Sequence, residues 1–258
     1  MNSFTASDEV RIVYEDWSGE ATSGPPVILH HGFSADAQLN WELPGVVAAL
    51  VEGGRRVVAP DARGHGRSDK PHDPALYGED RMARDMSELF DYLEFEQVDL
   101  AGNSMGAIVA LITATREPRV RRLAVGGVGS GVVELGGVNT RHLDTHLLAG
   151  ALRLDDPEAI TDPVARSFRA FADSSPTNDR LALAAQADAV HRVRIPLERI
   201  TAPTLVLAGR DDPLADRPEV LVEAIAGARL QILEGDHLGA VFAPDFAPSL
   251  VRHFAVEA

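Results

Sequence analysis

The sequence predicts an α/β protein: a mostly parallel, doubly wound sheet carrying a small helical insertion. Three observations predict it. Short apolar segments alternate with amphipathic helical ones through the first half of the chain, the pattern of strands joined by helical crossovers. The alternation stops between about Gly131 and Pro196 and resumes at Thr204. Between these, Val98-Asp99-Leu100-Ala101-Gly102-Asn103-Ser104-Met105-Gly106-Ala107 joins an apolar strand to a helix through the pattern G-x-S-x-G. We therefore expect a core of residues 1–130 and 196–258 and a helical insertion of residues 131–195.

The elements follow in order. Val10 to Trp17 alternates apolar and polar residues and predicts an edge strand. Gly19 to Pro26 is a loop. Val27-Ile28-Leu29 is a short strand ending in His30-His31-Gly32-Phe33. A helix is expected over Asn40 to Glu52, closed by Gly53-Gly54. Arg56 to Ala59 is a buried strand leading into Asp61-Ala62-Arg63-Gly64-His65-Gly66-Arg67-Ser68-Asp69. From Glu79 to Phe95, Met82, Met86, Leu89, Phe90 and Leu93 share one helical face. The strand and helix around Ser104 come next; Pro118 ends that helix and Val120 to Val125 is a further strand. The insertion holds helices near Asp144–Leu152, Asp156–Ala172 and Asn178–Val190, punctuated by Pro157, Pro163 and Pro176. Thr204–Gly209 and Leu230–Leu233 are strands, and a helical stretch to Phe254 closes the pattern.

Composition narrows the partners. The chain has 258 residues, 45% of them hydrophobic, enough for a substantial core. Its 39 acidic and 24 basic residues give a formal charge of −15, which argues against nucleic acid and against anionic membranes, since phosphate binding needs a basic face. Cysteine is absent, which excludes disulfides, thiolate catalysis and Cys-ligated zinc. No helix carries an H-x-x-x-H pair, so no metal is expected. Gly126-Gly127-Val128-Gly129-Ser130-Gly131 lacks the Lys-Ser/Thr ending of a phosphate loop and opens no obvious helix; it reads as a flexible entry to the insertion. Met1 to Arg11 has neither a basic nor an apolar leader region, and no stretch reaches the ~20 apolar residues of a membrane span. The expectation is a soluble, cytoplasmic protein.

The chemistry centres on Ser104. A serine hydroxyl is a weak nucleophile; it needs a base beside it, and the base needs an orienting group. Asp211 and Asp212 follow the strand Leu205–Ala208, and His237 follows the strand Leu230–Leu233. In an open parallel sheet, groups at the carboxyl ends of strands converge at one edge. Gly102 and Gly106 suit a turn where strand and helix nearly touch. Of the other histidines, His31 buttresses its own loop, His30 lies in or beside the core and His65 tightens the Asp61–Asp69 loop. Leu143, Leu147, Leu148, Leu152, Phe168 and Phe171 fall at helical spacing and read as the insertion's own packing.

Four segments together, His31-Gly32-Phe33, Asp61–Asp69, Gly102–Gly106 and Leu207–Asp212 with His237, resemble the α/β-hydrolase superfamily over nearly the whole chain. The resemblance is to serine esterases and lactonases with a small helical cap. It implies that Ser104 is the nucleophile and His237 the general base, then acid. It implies that Asp212, third after Gly209, is the orienting acid and Asp211 a solvated neighbour. The backbone N–H groups of Phe33 and Met105 would form the oxyanion hole. The implied reaction is cleavage of a small or medium carboxylic ester or lactone through an acyl-enzyme, with no cofactor. The Gly-Asn-Ser-Met-Gly elbow also resembles that of C–C bond hydrolases; further alternatives are a cofactor-free perhydrolase or haloperoxidase and, in another class, a non-catalytic receptor on this fold. Two departures stand out. Asp236 occupies the position before the histidine where the family commonly has glycine, and Leu238 follows it where C–C hydrolases usually carry tryptophan.

Overall fold

The structure is a computed structural model describing residues 2–19 and 22–256; Met1 and, within the expected Gly19–Pro26 loop, Glu20 and Ala21 lie outside the described residues. Eight strands form one sheet: β1 (Asn2–Thr5), β2 (Arg11–Trp17), β3 (Val27–His30), β4 (Val57–Pro60), β5 (Val98–Asn103), β6 (Val120–Gly126), β7 (Thr204–Gly209) and β8 (Arg229–Leu233). They lie in the order β1-β2-β4-β3-β5-β6-β7-β8. The β1–β2 and β2–β4 pairs are antiparallel and the others parallel. This corrects one expectation: the alternating segment is not an edge strand. Asn2–Thr5, too short to show a period in the sequence, pairs outside it with Asn2 opposite Tyr14 and Thr5 opposite Arg11.

The helices are α1 (Val46–Glu52), α2 (Glu79–Tyr92), α3 (Met105–Ala114), α4 (Ser130–Leu135), α5 (Thr145–Arg153), α6 (Pro163–Asp173), α7 (Arg180–Asp188), α8 (Pro218–Ala224) and α9 (Phe246–His253). The continuous helix expected over Asn40–Glu52 is divided. A wide helical turn covers Gln38–Glu42, and α1 begins only after Gly45, whose φ of 80° no helix accommodates. Pro44, which removes a backbone donor, marks the break. Pro163 likewise splits Asp156–Ala172 into a short turn at Pro157–Ala159 and α6. The glycine run at 126–131 does open a helix, α4, contrary to expectation.

Successive strand residues face opposite sides of the sheet, and the core divides accordingly. Val27 and Leu29 of β3 pack with Val46, Leu50, Phe246 and Leu250 of α1 and α9. Ile28 between them packs with Met82, Met86 and Leu89 of α2 and Ile108 of α3 on the other side. Helix α3 is apolar all round and buried from Met105 to Thr113, as befits a helix enclosed between the sheet and α2. Between β6 and β7 the chain leaves the sheet, and α5, α6 and α7 pack on one another through Leu148, Leu152, Ala172 and Leu183. Asp144, Asp162 and Asp179 cap these helices, each carboxylate accepting backbone N–H groups of the first turn. Part of the acidic surplus thus sits at helix N-termini, where the dipole favours it.

A charge sits inside the sheet itself. Asp99 on the central strand β5 has no exposure. It accepts from Arg55 at 2.6 Å and from Arg121 at 2.6 and 2.9 Å, while Arg55 also donates to the carbonyls of Pro25 and Phe254. Among the described residues no helix is long and apolar enough to cross a membrane.

Candidate active site

Ser104 occupies the single residue between β5 and α3, at φ 55° and ψ −116°. This backbone conformation is strained for a residue with a side chain and presents it outward from the turn. The two glycines follow from the close approach. A Cβ at Gly102 would fall inside the Gly106 carbonyl oxygen, and one at Gly106 inside the His30 carbonyl oxygen. Ser104 is further held by its N–H, which donates to the Gly126 carbonyl at 2.8 Å.

Asp212 and His237 reach Ser104 from the ends of β7 and β8. The Ser104 hydroxyl lies 2.8 Å from His237 Nε2. His237 Nδ1 lies 2.9 and 3.0 Å from the two Asp212 carboxylate oxygens. A carboxylate only accepts, so Nδ1 carries the ring proton and Nε2 is left to accept from the serine. Asp212 is itself fixed: it is 5% exposed, and Oδ1 accepts from the N–H groups of Leu214 and Ala215 at 2.8 and 3.3 Å, capping the turn that follows. Asp211 is exposed, and its N–H bonds the Gly235 carbonyl. Asp236 is exposed too, with Oδ1 accepting the Gly239 N–H at 2.8 Å, so it shapes the turn that carries His237.

The loop after β3 closes the other side. Met105 is the first residue of α3, so its N–H has no acceptor within the helix. Gly32 and Phe33 lie opposite: a Cβ at Gly32 would be 3.3 Å from the Ser104 Cβ. Two side chains hold this loop. Asn40 Oδ1 accepts the Gly32 N–H at 2.8 Å. His31 bridges loops, its Nε2 accepting the Ala62 N–H at 2.8 Å and its Nδ1 therefore donating to the Gly32 carbonyl at 2.8 Å. His65 packs edge-on to Phe33 with centroids 5.8 Å apart, and Asp61 ties the loop after β4 to Ala37 and Arg67. Burial drives His30 down to about 3 and His65 well below the ordinary imidazole range, so both are neutral packing groups.

Two cavities meet at Ser104. The outer one, about 540 Å³ and open to solvent, runs between Phe33, Leu39, Phe171, Leu238 and Phe242 and includes His237. The inner one lies between Met105, Ile108, Leu143, Leu148 and Leu214, with Glu79 and Gln186 on its wall. Phe33 and Phe168 border both. Of the residues expected to be the insertion's own packing, Leu152 is packed inside the helical layer, Leu143, Leu148 and Phe168 pack there and also line a cavity, Phe171 lines the outer cavity, and Leu147 is exposed. Asn40, Glu79 and Gln186 carried no pattern in the sequence that would have singled them out.

Comparison with known proteins agrees with this architecture. A family model described as alpha/beta hydrolase fold matches residues 25–128. The chain is 41% identical over 111 residues to a 2-hydroxymuconate semialdehyde hydrolase of Pseudomonas sp. (strain CF600), a match covering 42% of this chain and 38% of that relative. The chain thus aligns with well under half of this relative's length. Among solved structures, a hydrolase from Pseudomonas aeruginosa PA01 superposes with a TM-score of 0.79 at 27% identity, over 99% of this chain and 98% of the other. The esterase EaEST from Exiguobacterium antarcticum does so with a TM-score of 0.77 at 26% identity, covering 97% of each. The chain has the α/β-hydrolase fold, and its residues 25–128 match that family's model.

Proposed function

We propose that the protein is a serine hydrolase that cleaves a small or medium carboxylic ester or lactone through an acyl-enzyme on Ser104. The observation that carries the reading is the hydrogen-bonded series Ser104–His237–Asp212, at 2.8 and 2.9 Å, where two largely apolar cavities meet. Ser104 Oγ attacks the carbonyl carbon while His237 Nε2 takes its proton. The N–H groups of Phe33 and Met105 receive the developing oxyanion, each such donor being worth about 2.7–4 kcal/mol in the transition state. As the tetrahedral intermediate collapses, His237 returns the proton to the leaving oxygen. Water, activated by the same imidazole, then releases the acid and regenerates Ser104. Asp212 holds the imidazole in its tautomer throughout.

In this reading residues 131–195 act as a cap on a core of residues 1–130 and 196–258. Phe168 and Phe171 of α6 supply walls to the substrate cavities, and so set which esters enter. The relative that hydrolyses a semialdehyde supports a second reading, C–C bond hydrolysis, by the same three residues. A panel of p-nitrophenyl esters and lactones, run with the native protein and Ser104→Ala, separates them. Turnover that requires Ser104 supports the ester reading. Turnover that survives the substitution overturns it. Ester inertness together with Ser104-dependent cleavage of a vinylogous 1,5-diketone shifts the assignment to C–C hydrolysis.

A further inference from the structure

Apart from Ser104 itself, the wall of the inner cavity is apolar except for the side chains of Glu79, Thr145 and Gln186. Gln186, on α7, is 1% exposed. Its Oε1 accepts the Gly78 N–H at 3.0 Å. A backbone N–H can only donate, so this contact fixes which end of the amide is oxygen and leaves Nε2 as the other end. That Nε2 is buried with no hydrogen-bond partner. A buried donor without an acceptor is costly, and native proteins rarely keep one without a use. The neighbouring polar groups point to the same use. Glu79 is 3% exposed and accepts the His191 N–H at 2.6 Å. Burial pushes its carboxyl up to about 7, so near neutrality a share of it is protonated and can donate. The Thr145 hydroxyl is engaged by Arg192 at 2.6 Å. Gln186 thus brings one unpaired donor to an otherwise greasy wall, where the Glu79 and Thr145 oxygens are already accepting.

We propose that the inner cavity holds the acyl part of the substrate and that Gln186 Nε2 donates a hydrogen bond to a neutral carbonyl oxygen on that acyl chain, selecting oxo-acyl esters over plain alkyl ones. The proposal rests on Ser104 being the nucleophile, since that places the acyl group; Gln186 itself is a specificity residue that takes no part in bond making. Its Oε1 also ties α7 to the N-terminus of α2 through Gly78, so selectivity is read as a ratio.

The test compares p-nitrophenyl hexanoate with analogues bearing a ketone at carbon 4, 5 or 6 of the acyl chain (heptanoyl for the last). With the native protein, kcat/KM favours the best-placed ketone by about tenfold, the scale of one buried hydrogen bond. In Gln186→Met the ratio of ketone to plain ester falls to within about twofold, whatever the hexanoate value becomes. Gln186→Glu keeps an acceptor for Gly78 and loses the preference as well. No preference at any ketone position in the native protein, or an undiminished preference in either folded variant, overturns the proposal. So does an equal loss for both substrate types, which marks a purely structural role. Should ester turnover prove independent of Ser104, the nucleophile reading falls by itself. Calorimetric binding of 5-oxohexanoic and hexanoic amides to the native protein and Gln186→Met then still reads the contact, and equal affinities overturn it.

Discussion

Gly106 and His30 lie so close that the helix carrying one and the strand carrying the other leave no room for a methyl group between them. The contact locks α3 against β3 and sets where the elbow points Ser104. Gly106→Ala must therefore displace backbone, not a flexible side chain. We expect a loss of about 3 kcal/mol or more in unfolding free energy, beyond ordinary overpacking, measured by urea denaturation. Ala107→Gly, one residue on, should cost less, about 2 kcal/mol from helix propensity and one lost buried methyl.

Asp212 and Asp211 are adjacent in the chain and opposite in circumstance. Asp212 is buried against His237 Nδ1, while Asp211 is exposed. Asp212→Asn leaves the ring free to adopt the wrong tautomer, and kcat on an activated ester should fall roughly ten-thousandfold. Asp211→Asn should stay within about threefold, as surface substitutions do. Steady-state kinetics of both variants decides between them, and the reverse ranking would move the orienting role to Asp211.

Asp99 answers two guanidinium groups inside the sheet. Asp99→Asn strands Arg55, whose side chain is 4% exposed, without its countercharge. Breaking a buried pair in this way costs about 3–5 kcal/mol. Chemical denaturation should show that loss, and Asp91→Asn, at an exposed carboxylate paired with Arg119, should show little.

Glu79 makes stability depend on pH in a defined direction. Its carboxyl is raised from 4.5 to about 7 by burial, so between those values the folded state holds a proton that the unfolded state has released. Its stabilising contribution is complete below about 4.5 and is lost as pH rises through about 7, a swing of roughly 3 kcal/mol. His30, driven down to about 3, works oppositely: the unfolded chain takes up a proton below its ordinary value of 6.5, so stability falls with acidification. The difference between the native protein and Glu79→Gln isolates the first effect. The native protein should lose stability relative to the variant from pH 5 to pH 8, and parallel curves would contradict the assignment.

These cases show why some features were legible in the sequence and others were not. The β5–Ser104–α3 turn could be read because its constraint is local: two glycines and a serine within five residues. The pair Asp211–Asp212 and His237 could be read because strand ends in a parallel sheet converge, whereas the preference for Asp212 came only from the family resemblance. The β1 strand could not, since four residues show no period and only pairing with β2 makes them a strand. Gly45 breaks the expected Asn40–Glu52 helix, but glycine takes either sign of φ, so its 80° could not be read from the residue type alone. Asn40 and Gln186 were invisible for a further reason. An amide acquires meaning from what its two ends meet, and Gln186 meets Gly78 from 108 residues away.

The central claim is that Ser104 is the activated nucleophile, and covalent capture tests it most directly. The native protein treated with an alkyl fluorophosphonate should gain one phosphonyl group, located by peptide mass spectrometry on Ser104, with loss of ester turnover in proportion. His237→Ala should slow the labelling by several orders of magnitude. An adduct on another residue, or none at all under conditions that leave the protein folded, would contradict the account.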